Sequence, residues 1–391
     1  MPFKKLIKAI INGLALVSLL VAFYIGQSGN TVIDRISQSK LLREHGIDKI
    51  FPEYANLTAY HGDKAVGYIS TGKSQGFGGP LEVMVLSDTL GNTVDIEIIH
   101  NTETLAYIEK LRRKRYLEQY QNKKLNDKYL IHDDISAVSG ATVSSNAIAL
   151  AGREASWNIA SQNFSLPLPD VGIKWKLGLD ELLVVLIFIM AFIAVRLKNK
   201  KLRYIALFSS FIVTGFLINA SISLSDIARL ILGYIPDIRH HFIWWLLLFG
   251  NLLVIAVFGK NVYCNSICPF HAAQVLLNKI SGVNFKIAPK LSRYLIKTPK
   301  YLLWLSLILI LISKNPTLAS YEPFAMFFSL EGMGIQWYIL PAALIGSLFI
   351  SDFFCYYFCP VGASFKLLID NRRKLINKIK ETEWIRKSKH K

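Results

Sequence analysis

Cysteine is scarce in this chain, with four residues among 391. They are too few and too clustered for a disulfide framework of the secreted kind. Acidic residues are also few, 27 against 45 Lys and Arg, and charged residues of both signs make up only 18%. A chain so poor in charge and 52% hydrophobic does not fit a simple cytosolic enzyme. No small-residue cleavage signal follows the first apolar run, which therefore reads as an uncleaved anchor rather than a signal peptide. The net charge of +18 would suit nucleic acid, but residues 27–176 hold 17 Lys/Arg and 17 Asp/Glu and are neutral. The basic excess lies in the hydrophobic remainder, which points to a membrane and away from nucleic acid.

Six apolar runs, 9–25, 179–195, 204–222, 242–258, 301–312 and 337–354, approach the length needed to cross a hydrocarbon core of about 30 Å. The fifth is short and would need local thinning of the bilayer. Segments 1–8, 196–203, 260–300 and 366–391 carry 25 Lys/Arg against 3 acids, while the opposite short loops hold only Arg229, Arg239 and Lys314. By the positive-inside rule the first set is cytoplasmic, with both termini inside and residues 27–176 facing outward. The expected architecture is an α+β extracytoplasmic domain joined to a polytopic α-helical membrane domain with six transmembrane helices. Its expected divisions are an anchor at 1–26, the outer domain at 27–176, a five-helix membrane domain at 177–370 and a basic cytoplasmic tail at 371–391.

Within the outer domain, 37–45 reads as a helix. Residues 57–60 and 65–70 form a hairpin through His61-Gly62-Asp63, and 81–86 pairs with 93–99. Alternation of Val94, Ile96 and Ile98 with Asp95 and Glu97 predicts strands with one buried face. Residues 103–120 and 144–160 read as helices. The stretch Ser139-Gly140-Ala141-Thr142-Val143-Ser144-Ser145 permits two readings. Ser144 or Ser145 makes a good cap for the helix that follows; alternatively, Gly140 and Ala141 leave the Thr142 hydroxyl unhindered for esterification to a bulky phosphate.

That string resembles the motif at which an ApbE-type transferase joins FMN to a threonine by a phosphoester bond, with Thr142 as acceptor. The preceding Gly-Pro-Leu-Glu-Val-Met-Val, and Ile99 to Thr104 with Glu103 and Thr104, resemble the FMN-binding domains of the NosR/NirI family. The resemblance implies cofactor contacts from Ser139, Gly140, Ala141, Thr142, Glu103 and Thr104. One departure stands out: the family pattern commonly has Asp three residues before the Ser, and this chain has Ser136, with Asp133 and Asp134 close by.

All four cysteines lie in two copies of one pattern, Tyr263-Cys264-x-x-x-Cys268-Pro269 and Phe354-Cys355-x-x-x-Cys359-Pro360, offset by 91 residues. Buried structural thiols, a four-cysteine zinc site, a redox dithiol and an iron-sulfur centre all use such residues. A thiolate set with Pro after Cys favours iron and sulfide. The doubled pattern again resembles NosR/NirI-type proteins, in a short form without their C-terminal ferredoxin domain.

The resemblance implies an electron-transfer component of the inner membrane rather than a stand-alone catalyst. It would link a cytoplasmic or quinol donor, a metal centre at Cys264, Cys268, Cys355 and Cys359, and a covalent FMN that serves an extracytoplasmic oxidoreductase or its maturation. Because the cysteines read as lying near the inner face, about 30 Å from an outer flavin, the expectation is either a further carrier between the spans, a quinone or second flavin, or a centre deeper than the cysteine positions suggest. Phe208, Phe211, Gly215, Gly250, Phe349 and Phe353 could line a slot for that carrier or be ordinary helix packing. The rival is a membrane sensor with a ligand-binding outer domain and a zinc or dithiol site. Asp352, inside a span, and His271, just after Cys268-Pro269, are further polar candidates.

Overall fold

A computed structural model describes residues 2–27, 31–53, 56–172, 178–332 and 334–389. The chain divides into two compact units, the first formed by 1–174 with 228–237 and 310–318, the second by 175–227, 238–309 and 319–391. The boundary expected at 176/177 lies outside the described residues.

In the first unit, α1 (Pro2–Ile25) precedes α2 (Val32–Ser37) and α3 (Lys40–Glu44). The single helix predicted over 37–45 is broken. Ser39 takes extended backbone, φ −63° and ψ 149°, and its hydroxyl accepts Leu42 N–H, which starts a new helix. Five strands follow in an antiparallel meander of sequential order: β1 (Lys49–Glu53), β2 (Asn56–His61), β3 (Lys64–Gln75), β4 (Pro80–Ser87) and β5 (Thr93–Asn101). Both predicted hairpins form, and β1 adds an edge strand that sequence pattern did not indicate.

The expectation of one buried face fails, because the sheet has a core on each side. Irregularities at Glu82/Val83 and Leu86/Ser87 shift the β4–β5 register. In consequence Ile96 and Ile98 pack into one core while Val94 and Ile99 pack into the other, with Ile36, Leu41 and Met84. The larger core is closed by α4 (Leu105–Arg113) and α5 (Thr142–Gln162). The helix predicted over 103–120 is interrupted at Arg115, whose left-handed φ of 49° opens a separate 3-10 turn at Tyr116–Tyr120. Helix α5 buries Ala147, Ala151 and Ala155. These small residues let it approach the sheet until Gly72 has no room for a Cβ beneath the Ala151 carbonyl.

The helical remainder contains α6 (Leu179–Arg196), α7 (Lys200–Ser210) continuing into a π-helix at Phe211–Leu217, α8 (Leu224–Leu232) and α9 (Phe242–Phe258). It continues with α10 (Val262–Ser266), α11 (Pro269–Ser281), α12 (Pro289–Leu295), α13 (Thr298–Ser313), α14 (Phe324–Ser329), α15 (Gln336–Phe349), α16 (Phe353–Tyr357) and α17 (Pro360–Lys389). Among the described residues, one stretch, Pro289–Ser313, is long and apolar enough to cross a membrane. A second qualifies if α9 and Val262–Ser281 are one span broken by a 109° bend. The run at 301–312, expected to be short, is thus lengthened by α12. The run at 337–354 ends early at Phe349, because Ile350 turns extended with φ −129° and ψ 121°.

Candidate functional site

Thr142 is the first residue of α5 and is exposed, together with Ser139 and Gly140. The residues before it form a β-turn, closed by Ala141 N–H donating to the Val138 carbonyl at 2.9 Å, with Gly140 at φ +75° in the position that demands glycine. Helix α5 starts two residues before the predicted caps. Ala141 is the N-cap residue and offers no side chain to the first-turn N–H groups. Ser144 and Ser145 are buried instead, and Ser145 Oγ accepts Val138 N–H at 3.1 Å, which ties the turn to the helix. An end lacking a side-chain cap forgoes about 1 kcal/mol and leaves donors suited to an anion.

A cation stands beside this turn. A Cβ at Gly140 would lie 2.6 Å from Lys110 Nζ, the far end of a long, flexible side chain, so it is the φ of +75° that calls for glycine here. Glu103, by contrast, is buried under the Gly76–Gly79 loop, where Oε2 accepts Gly78 N–H at 3.1 Å and the carboxyl fills the space a Gly76 side chain would need. Burial raises its carboxyl above the usual value, against the lowering effect of Gly78 N–H. It borders Ser144 of the first turn of α5, although neither Glu103 Oε1 nor Ser144 Oγ has a hydrogen-bond partner among the described residues. Thr104 starts α4 as its N-cap, without a side-chain capping bond.

Ser136 is held through its backbone by Gln119, which accepts Ser136 N–H at 2.9 Å and donates to its carbonyl at 3.3 Å. Neither neighbouring acid takes its place. Asp134 accepts Tyr129 and Leu130 N–H, and Asp133 pairs with Lys128 at 3.0 Å. Sequence reasoning missed Arg229 and Thr317. Arg229, fully buried, donates to the Phe77 carbonyl at 2.9 Å, and Thr317 Oγ1 donates to the Thr102 carbonyl at 3.0 Å. The available signal for Arg229 was a short helix, LSDIARLIL, that sets an Arg and an Asp among apolar residues.

In the second unit all four cysteines are reduced and line one cavity of about 200 Å³. The two motifs repeat bond for bond. Cys268 N–H and Cys359 N–H reach the carbonyls of Tyr263 and Phe354 at 2.8 and 2.9 Å, and each cysteine carbonyl accepts the Ala four residues on, both at 3.2 Å. The second cysteine of each motif stands just before a helix that opens with Pro, where a missing N–H costs nothing. Gly362 N–H accordingly points at Cys359 Sγ at 3.3 Å, and the N–H groups of Phe270 and His271 at Cys268 Sγ. This geometry explains the C-P pairing, since a helix N-terminus steadies a thiolate.

Two buried amides, neither indicated by sequence pattern, hold the motifs. Asn251 Oδ1 accepts Val262 and Tyr263 N–H at 3.0 Å each, and Gln274 Oε1 accepts Phe354 and Cys355 N–H at 2.9 and 3.4 Å. Asn251 lies seven residues before the end of α9, so the first motif folds back beside that helix by about 10 Å of rise. Spacing in the sequence alone sets it beyond the helix end. His271 Nε2 lies 3.1 Å from Asp352 Oδ1, and both residues line the cavity. The expected slot is filled by packing: a Cβ at Gly215 would meet Phe328 at 2.5 Å, one at Gly250 would meet Phe188 at 2.9 Å, and Phe349 stacks on Phe285. Among the described residues, no three His, Cys, Asp or Glu groups lie close enough to hold a single metal ion.

Residues 76–156 match the FMN-binding domain family, and residues 242–288 and 337–379 match the 4Fe-4S binding domain family, which takes in all four cysteines. The chain is 25% identical over 205 residues to Protein NirI of Paracoccus denitrificans, covering 48% of this chain and 28% of that protein. It is 31% identical over 134 residues to Regulatory protein NosR of Pseudomonas aeruginosa, covering 32% of this chain and 18% of that protein. Over 102 residues it is 28% identical to a component of the proton-translocating ferredoxin:NAD(+) oxidoreductase complex of Clostridium ljungdahlii, covering 25% of this chain and 55% of that component. The chain thus spans little more than half of any of these relatives.

Proposed function

From the premise that the chain is a NosR/NirI-like FMN-binding protein, we propose that it is a membrane electron carrier. It would connect a four-cysteine iron-sulfur centre to FMN esterified at Thr142. When bound, the two groups would supply the one- and two-electron chemistry that the side chains lack. The carrying observation is the pairing of an exposed threonine on an uncapped helix end with four thiols lining one cavity.

Each site supports its group through its own residues. At the first, Gly140 and Ala141 keep the hydroxyl open to an ApbE-type transferase. The phosphate would rest at the start of α5, with Lys110 opposing its charge. At the second, the cavity is lined by Cys264, Cys268, Cys355 and Cys359, which would be the ligands. The match of both cysteine segments to the 4Fe-4S binding domain family supports a cluster of iron and sulfide over the zinc of the sensor reading.

The chain would sit in the cytoplasmic membrane with six spans, both termini inside and the FMN domain outside. A cytoplasmic protein or quinol would be the donor, and an extracytoplasmic oxidoreductase the acceptor. If the end of α9 marks the inner face, the fold-back of the first motif sets the cysteines within the hydrocarbon layer, which shortens the gap that a quinone would otherwise bridge. The test is anaerobic purification from a cell that has the transferase, with mass spectrometry of the Thr142 peptide and assay of iron and sulfide. An FMN-sized adduct and stoichiometric iron are expected. An unmodified peptide, or zinc without iron, would overturn the corresponding half.

A further inference from the structure

Gln274 stands where the two cysteine motifs meet. It belongs to α11, the helix that Cys268 introduces, yet its side chain reaches the other repeat. The carboxamide is fully buried, and its orientation is settled by its neighbours. Backbone N–H groups can only donate, and those of Phe354 and Cys355 lie 2.9 and 3.4 Å from one amide atom, which must be the oxygen. The Ser347 hydroxyl lies 3.2 Å from the same atom, but its single proton has a closer acceptor in the Ala343 carbonyl at 2.6 Å, so the two backbone N–H groups decide the orientation. The nitrogen is left aimed at Cys355 Sγ, 2.9 Å away.

The first repeat differs in this contact: among the described residues, the amide beside Cys264 is Asn261 of its own motif and not a residue of the other repeat. Asn251 holds the backbone of its motif in the same way, through two N–H groups, but it stands before the motif on α9. At the position matching Gln274, 91 residues on, the second repeat has the buried Phe365. The two halves are therefore alike in backbone and unlike in what surrounds sulfur.

We propose that Gln274 is a positioning residue of the cysteine centre, fixing Cys355 relative to Cys268 and setting the reduction potential through an amide N–H on the Cys355 sulfur. This rests on the iron-sulfur reading above. One-electron reduction of such a centre increases the negative charge on its sulfurs. A donor on one sulfur stabilises the reduced form and raises the potential. A purely structural amide would leave the potential untouched.

Gln274→Glu separates these roles, since a carboxylate still accepts Phe354 and Cys355 N–H but has no N–H for sulfur. Gln274→Met removes both functions. Full-length protein purified anaerobically is assayed for iron and sulfide, then titrated electrochemically with spectroscopic readout. The Glu variant should keep wild-type iron with a more negative midpoint potential, and the Met variant should lose at least half its iron. A Glu variant that titrates at the wild-type potential, or that loses its iron, overturns the tuning role. A Met variant with wild-type iron overturns the positioning role. Wild-type protein without iron would instead sink the cluster reading itself.

Discussion

The acceptor turn and the cysteine cavity solve opposite problems. The turn is exposed and contiguous in sequence, spread over the four consecutive residues Ser139 to Thr142, as the proposed flavinylation of Thr142 would require. The cavity is assembled from two segments 91 residues apart, and buried amides fix it before any ligand arrives. If the proposed function holds, a threonine that a transferase must modify has to stay accessible, whereas four dispersed ligands have to be held together by the fold. The same device, a helix N-terminus, serves both. At α5 it lies open to solvent, and at α11 and α17 it is turned onto a sulfur.

If that contrast holds, the sites should fail independently. Thr142→Ala should abolish the flavin adduct, read as the adduct mass on the peptide, while iron stays at the wild-type level. Cys268→Ser and Cys359→Ser should each remove most of the iron, because each deletes one of the four thiols that line the cavity, with flavinylation unchanged. Loss of the adduct in a cysteine variant would show that the sites are built cooperatively.

The amides give the next effect. Asn251→Leu strands two buried N–H groups at about 1–3 kcal/mol each, so the helical unit should lose roughly 2–5 kcal/mol along with iron. An unchanged denaturation midpoint would mean that water replaces the amide, and the pre-shaped cavity would lose its main support. On the exposed side, Lys110→Met should slow flavinylation a few-fold, in keeping with about 1 kcal/mol for a charge at a helix terminus. Lys110→Arg should restore it. Equal rates for all three would leave Lys110 outside the site.

Much of this was legible in the sequence and some was not, for identifiable reasons. The hairpins could be read because period-two alternation and the His61-Gly62-Asp63 turn are local signals. The 91-residue repeat survives as matching backbone hydrogen bonds, since Cys-Pro fixes the start of a helix whatever surrounds it. The two-faced sheet was hidden by irregularities in β4–β5 pairing that no residue type marks. Helix breaks at Ser39 and Arg115 fall in runs of four polar or basic residues, which a solvated helix face would also contain, and no Gly or Pro marks them. Asn251 was visible as a lone amide in an apolar helix and Gln274 was one polar residue among several in its own, but the partners of both are backbone N–H groups, which carry no sequence signature.

The smallest effect concerns what lies beneath the exposed turn. Glu103 is a buried carboxyl whose affinity for its proton is raised above the ordinary 4.5, mainly by burial and against the Gly78 N–H that opposes it. A raised acid binds its proton more tightly folded than unfolded. Its contribution to stability is therefore full below about pH 4.5 and is lost as pH rises through the folded-state value. In the full-length protein, the midpoint for unfolding of the outer unit should decline across that interval more steeply in wild type than in Glu103→Gln, which has no proton to lose. Parallel curves would mean that the carboxylate is fully compensated where it lies, and that the turn above it rests on a charge rather than on a neutral acid.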